Sequence, residues 1–139
     1  MITDSIQLRP RYGEVDKMGY VYHANHVCYC HQARTELLRK LGIHDSMLEA
    51  DNLMLPVIHF EIVYKNPAHY DEVLSIKTTI RKMPKVRFSF EFEITNAEGK
   101  LISTATSTVV FVDAVSRLPK EAPDFVKDKL RRLFEEVEA

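Results

Sequence analysis

Val86-Arg87-Phe88-Ser89-Phe90-Glu91-Phe92-Glu93-Ile94-Thr95 is the most regular stretch of the chain, with an apolar residue at every second position and a charged or hydroxyl residue between. A period of two is that of an extended strand with one dry face and one wet face. Such a strand is not stable alone: it needs neighbours beside it and a cover over its dry face. The flanking sequence supplies neighbours. Leu74, Ile76, Thr78 and Ile80 alternate with Ser75, Lys77, Thr79 and Arg81, and the turn residues Asn96-Ala97-Glu98-Gly99 lead into a stretch rich in Thr and Val, Leu101 to Asp113. Upstream, Ile58, Phe60, Ile62 and Tyr64 alternate with His59, Glu61, Val63 and Lys65, and Ile6, Leu8, Pro10 and Tyr12 alternate with Gln7, Arg9 and Arg11. Strands joined by short turns are expected to pair antiparallel.

The cover is expected from residues 24 to 41, where Val27, Cys30, Leu37, Leu38 and Leu41 recur at helical spacing and Gly42 supplies a stop. A short helix is expected over Ser46 to Ala50 with Asp45 as its cap. A closing helix after Pro123 has Phe125, Val126, Leu130, Leu133, Phe134 and Val137 on its apolar face. The order strand, long helix, four strands, helix implies an α+β fold: an antiparallel sheet wrapped around a long central helix, with a C-terminal helix. At 139 residues the chain is expected to form a single domain over 1–139.

Composition narrows the function. With 19 basic against 20 acidic residues the formal charge is -1, so no global field favours nucleic acid or anionic lipid. Apolar runs such as Val109-Val110-Phe111-Val112 fall far short of the ~20 residues that a spanning helix needs. The start, Met1-Ile2-Thr3-Asp4-Ser5, has neither the basic region nor the apolar core of a secretion signal. Cys28 and Cys30 would point about 200° apart on a helix and could not bridge. Together these features favour a reducing, cytoplasmic location.

Chemistry is expected in Arg11-Tyr12-Gly13-Glu14-Val15-Asp16-Lys17-Met18-Gly19-Tyr20-Val21-Tyr22-His23-Ala24-Asn25-His26, which joins a strand to a helix through a loop. A helix N-terminus carries unpaired N–H groups and partial positive charge, which suit a developing oxyanion. Asp16, seven residues before His23, can face that point as a base or nucleophile. Equally, Asp16 can do no more than close a turn.

These residues resemble the 4-hydroxybenzoyl-CoA thioesterase-like branch of the hotdog superfamily, most closely its YbgC-type acyl-CoA thioesterases. The resemblance rests on Arg11-Tyr12, Glu14, Asp16, Gly19, Val21-Tyr22-His23, Asn25, Tyr29, Ala33-Arg34 and Glu36, continues through Tyr64, Pro67-Ala68, Tyr70-Asp71, Leu74 and Asp113, and so covers nearly the whole chain. It implies the hotdog fold and hydrolysis of an acyl-CoA, or another acyl thioester, to a free acid and a thiol. It assigns Asp16 as the catalytic carboxylate, nucleophile or general base, and the His23 backbone N–H as the group polarising the thioester carbonyl. Gly19, Tyr22 and Asn25 are then expected around the substrate. No metal or cofactor is called for. The partners implied are the acyl-CoA substrate and further copies of the chain, as a homodimer or homotetramer with the active site at the dimer interface.

Two residues depart from the family pattern: His26 stands where Tyr is usual and His31 where Glu is usual. His23, His26 and Cys30, at i, i+3 and i+7, also invite a metal-site reading, which the absence of further ligands at standard spacing weakens. Lys77, Arg81, Lys82, Lys85 and Arg87 bracket Met83-Pro84 with no acid between them. Lys85 and Arg87 are candidates for a CoA phosphate, against the plainer role of lysines that blunt a sheet edge. The alternative function is a non-catalytic acyl-thioester-binding hotdog subunit. A hotdog dehydratase or hydratase is a third reading, and it would need a His and a carboxylate arranged differently from the Asp16-to-helix unit.

Overall fold

The structure, a computed structural model, describes the backbone of residues 1–138 and the side chains of residues 1–135. Strand β1 (Ile2–Leu8) leads through a 3-10 turn (Tyr12–Glu14) to α1 (His23–Lys40), α2 (Asp45–Ala50), β2 (Leu53–Met54), β3 (Val57–Tyr64), β4 (Leu74–Ile80), β5 (Arg87–Asn96), β6 (Leu101–Val110), β7 (Val112–Asp113) and α3 (Asp124–Glu138). The alternation in β5 decides the core as expected: Phe88, Phe90, Phe92 and Ile94 are all buried, while Arg87, Ser89 and Glu93 face out. β5 sits at the centre of a five-stranded antiparallel sheet of order β1-β4-β5-β6-β3.

Opposite the phenylalanines, β6 presents small residues: Phe90 pairs with Ser107 and Phe92 with Ala105. Large side chains on one strand and small ones on the next leave room for a helix to lie close. Tyr29, Cys30, Ala33, Leu37 and Leu38 of α1 are buried in this core. Cys28 and Cys30 are both free, the first exposed and the second buried.

Several expectations are corrected. The first strand ends at Leu8 rather than Tyr12: Pro10 cannot donate to a ladder, the chain then coils, and Tyr12 is exposed. The burial face of α1 runs through His26, Tyr29 and Ala33, leaving Val27 exposed. Asp45 is the first residue of α2, not its cap; His44 holds that position without a side-chain cap bond. The last strand breaks at Phe111, whose N–H turns to the Val86 carbonyl, and β7 pairs instead with β2.

β3 does not pair with β4, its neighbour in sequence, but crosses to β6, and β1 occupies the edge beside β4. The link between β3 and β4 carries Pro67 and is too long for a tight hairpin. β3 is therefore a free edge, and it leaves Val57, Ile58, Val63 and Tyr64 exposed. Phe125, Val126, Leu130, Leu133 and Phe134 of α3 pack as expected, whereas the Val137 side chain lies outside the described residues. Among the described residues no helix is long and apolar enough to cross a membrane.

Candidate active site

The segment between β1 and α1 is tied down from both ends. The Glu14 carboxylate accepts from the Arg11 N–H (2.8 Å) and the Tyr29 hydroxyl (2.9 Å), so the loop is fastened to the buried face of α1. Burial and the Glu14 contact raise the Tyr29 phenol well above its ordinary pKa, which keeps it a donor. The Glu14 carbonyl accepts from the Tyr22 N–H at 2.8 Å and from Asn25 Nδ2 at 3.0 Å. A Val15–Val21 bridge closes the loop, and the Val21 N–H donates to the Ala68 carbonyl at 2.8 Å. A Tyr20–His69 bridge adds a second tie to the β3–β4 link.

Asp16 lies at the head of this closed loop. Its carbonyl accepts from the Gly19 N–H (3.0 Å), and its Oδ1 accepts from the backbone N–H groups of Met18 (2.9 Å) and Tyr20 (3.2 Å). The turn-closing role foreseen for Asp16 is thus real, but it uses one carboxylate oxygen. Among the described residues Oδ2 has no partner, so it is available for chemistry. Gly19 has φ +81, and a Cβ built there would meet nothing within 4 Å. Gly19→Ala is therefore expected to cost about 1 kcal/mol through backbone conformation alone, read as a lower unfolding midpoint in urea.

The first turn of α1 is the second half of the site. Tyr22 at the N-cap makes no side-chain cap bond, and no acidic residue sits in the first turn. The Asn25 N–H donates to the Tyr22 carbonyl at 2.9 Å, while among the described residues the His23 and Ala24 amides keep their hydrogen-bonding capacity and their share of the helix dipole for a ligand. The turn is held from the sheet side: the Tyr64 hydroxyl donates to the His23 carbonyl at 2.7 Å. His26 packs edge-on against Tyr64 with centroids 4.9 Å apart, and its Nδ1 lies 3.0 Å from Ser103 Oγ on β6. Burial, with a smaller contribution from His23, lowers the His26 pKa to about 4, so the ring is neutral at pH 7. Tyr22 and His23 are exposed, their rings 4.4 Å apart, where a substrate can reach them.

Asp16, Gly19, Tyr22, His23 and Asn25 therefore gather at one end of the sheet. Lys85 and Arg87 do not join them within the chain: Arg87 opens β5 at its other end and Lys85 lies just before it, roughly 25 Å along the strand at about 3.3 Å per residue. There, with Arg81, Lys82 and Met83, they border a cleft of about 650 Å³. Among the described residues His23, His26 and Cys30 do not form a group placed to hold a metal ion, and burial pushes the Cys30 thiol up to about 12. The sequence reading gave Tyr64 no role, and marked His26 only as a departure from the family pattern and as a member of a weakly supported metal cluster. Tyr64 stood in the family pattern, yet in its strand it reads as one more member of an alternation.

Residues 10–130 match the Thioesterase-like superfamily. YneP of Bacillus subtilis is 35% identical over 86% of this chain and 89% of its own length. The acyl-CoA thioester hydrolase YbgC of Escherichia coli is 34% identical over 84% of this chain and 87% of its own. The solved DHNA-CoA thioesterase of Staphylococcus aureus superposes with a TM-score of 0.87 at 28% identity, over 98% of this chain and 95% of that one. On this agreement of sequence and architecture, the chain is a hotdog-fold member of the thioesterase-like superfamily.

Proposed function

We propose that the protein is an acyl-CoA thioesterase, acting as one hotdog domain over residues 1–139. Asp16 is its catalytic carboxylate and the His23 backbone N–H its oxyanion donor. The observation that carries the reading is the half-occupied Asp16 carboxylate, with Oδ1 held by two amides and Oδ2 without a partner among the described residues, on a loop tied to the uncapped start of α1. Oδ2 attacks the thioester carbonyl, or takes a proton from the water that does. Negative charge then moves onto the carbonyl oxygen, where the His23 N–H and the helix terminus stabilise it. The C–S bond breaks and CoA leaves as the thiolate: in the first route the thiolate is protonated by solvent and water then cleaves the Asp16–acyl anhydride, releasing the acid and restoring the carboxylate, and in the second the proton taken by Asp16 passes to the thiolate as the acid departs. Gly19, Tyr22 and Asn25 shape the surroundings of the substrate. Lys85 and Arg87 serve the CoA phosphates only if a partner subunit brings them close to the Asp16 loop.

The free β3 edge, with Val57, Ile58, Val63 and Tyr64 exposed, supports assembly as a homodimer or homotetramer. Two free cysteines suit a cytoplasmic location. The test is release of free thiol from a panel of short, long and aromatic acyl-CoAs. Turnover of at least one upholds the reading. Binding without any thiol release replaces it with the non-catalytic binder.

Tyr64 is a positioning residue in this scheme. Tyr64→Phe removes a hydrogen bond worth about 1 kcal/mol to the turn that presents the His23 amide, so kcat is expected to fall by roughly fivefold with KM little changed. A change confined to the melting temperature would make Tyr64 a packing residue only.

A further inference from the structure

His23, Val27, His31 and Arg34 lie on one stripe of α1, since steps of four, four and three residues keep them within about 80° around the helix. Under this stripe lies a slot of about 200 Å³ walled by Val27, Val57, Phe60 and Phe92 with Ser107, and bordered by His31 and Arg34. The same two residues border a second cavity, of about 500 Å³, between the C-terminal half of α1, α2 and β2. Arg34 thus stands between an apolar slot and a more polar chamber and lines both.

Its charge is unusually placed. The guanidinium carbon lies 5.9 Å from the Phe90 ring centroid, and Nη2 donates to His31 Nδ1 at 3.1 Å. Among the described residues no carboxylate pairs with it; Asp45 attracts it only from longer range. Asp45 and Glu49 border the chamber, whereas no described acidic residue borders the slot. Burial and the Arg34 charge hold His31 below its ordinary pKa, so near neutrality its Nδ1 accepts from Arg34 and its Nε2 carries a proton. A charged fork and a second N–H donor are therefore offered together. A half-buried cation with no carboxylate in direct contact is costly, and an incoming anion relieves that cost.

We propose that Arg34 and His31 recognise a carboxylate at the far end of the acyl group, making the preferred substrate a thioester that ends in a carboxylate rather than a methyl. The proposal rests on the thioesterase reading above. His23 and Arg34 are eleven positions apart, about 16 Å along the helix, and the arginine side chain leans back toward the N-terminus. An acetyl group cannot bridge that span, whereas a medium-length chain can.

Octanoyl-CoA and suberyl-CoA differ only in whether the eighth carbon is a methyl or a carboxylate. The wild type is expected to favour suberyl-CoA in kcat/KM by at least about tenfold, the scale of one charge-assisted hydrogen bond. Arg34→Leu should reverse that ratio. His31→Glu, at an exposed position one turn from the guanidinium, should bring it toward one by occupying the cation, and it serves as the test if Arg34→Leu does not fold. A wild-type ratio at or below one, or a ratio unchanged in the folded variants, overturns the proposal. Calorimetric binding of both thioesters to Asp16→Asn separates the two readings. Tighter suberyl-CoA binding that vanishes with Arg34→Leu or His31→Glu in that background, without hydrolysis by the wild type, keeps the subsite and sinks the enzyme. Equal binding of the two sinks the subsite.

Discussion

Asp16→Asn is expected to yield a folded protein that still binds acyl-CoA but releases thiol roughly 10²–10⁴-fold more slowly, the usual contribution of a positioned base or nucleophile. The substitution is nearly isosteric. Its remaining oxygen can still accept from the Met18 and Tyr20 amides, so the loop that Gly19 and the Val15–Val21 bridge define is retained. What is lost is the charge on Oδ2, and with it both the attack on a carbonyl and the activation of water. Thiol release measured beside a melting curve and a binding isotherm separates these effects. Turnover close to wild type would reject Asp16 as the catalytic group. A matching loss of binding and melting temperature would reduce it to the turn-closing role that its Oδ1 bonds already display.

Acidification below pH 6.5 is expected to weaken the fold through His26. In the unfolded chain this side chain binds a proton with the ordinary pKa of 6.5; folded, it does so only near 4. Between those values the unfolded state binds more protons, so stability falls as pH falls, with the loss beginning near 6.5 and complete near 4. The gap corresponds to roughly 3 kcal/mol, a large part of the stability of a small domain. His31, also held below its ordinary value, pulls in the same direction. Urea unfolding at pH 7.5, 6, 5 and 4 measures the slope, and His26→Tyr, the residue usual in the resembling family, isolates it. An equal slope in the variant would assign acid sensitivity to other groups.

The carboxylate loop was legible because it is contiguous. Asp16, Gly19, Tyr22, His23 and Asn25 span ten residues, and a strand-to-helix junction of that length has few ways to fold. The residues that hold it were not legible in the same way. Tyr64 reaches the His23 carbonyl across 41 positions and His26 reaches Ser103 across 77, and no local period reveals which hydroxyl will meet which backbone group. The basic residues 77–87 looked relevant for the converse reason. Charge density is visible in a sequence, whereas the strand length that carries Lys85 and Arg87 away from Asp16 becomes visible only once the sheet is assembled.

By itself the sequence determined the alternation that buries Phe88, Phe90, Phe92 and Ile94, the central helix and the carboxylate-to-helix segment, because each follows from side-chain periodicity or turn chemistry within a short window. Tertiary structure alone decided that β3 pairs with β6 while β1 takes the edge beside β4, and that the last strand splits at Phe111. It also decided that Arg34 stands between two cavities with, among the described residues, no carboxylate in ion-pair contact. These outcomes depend on which distant segments share the same core, and burial and hydrogen bonding settle that only when all the strands are in place.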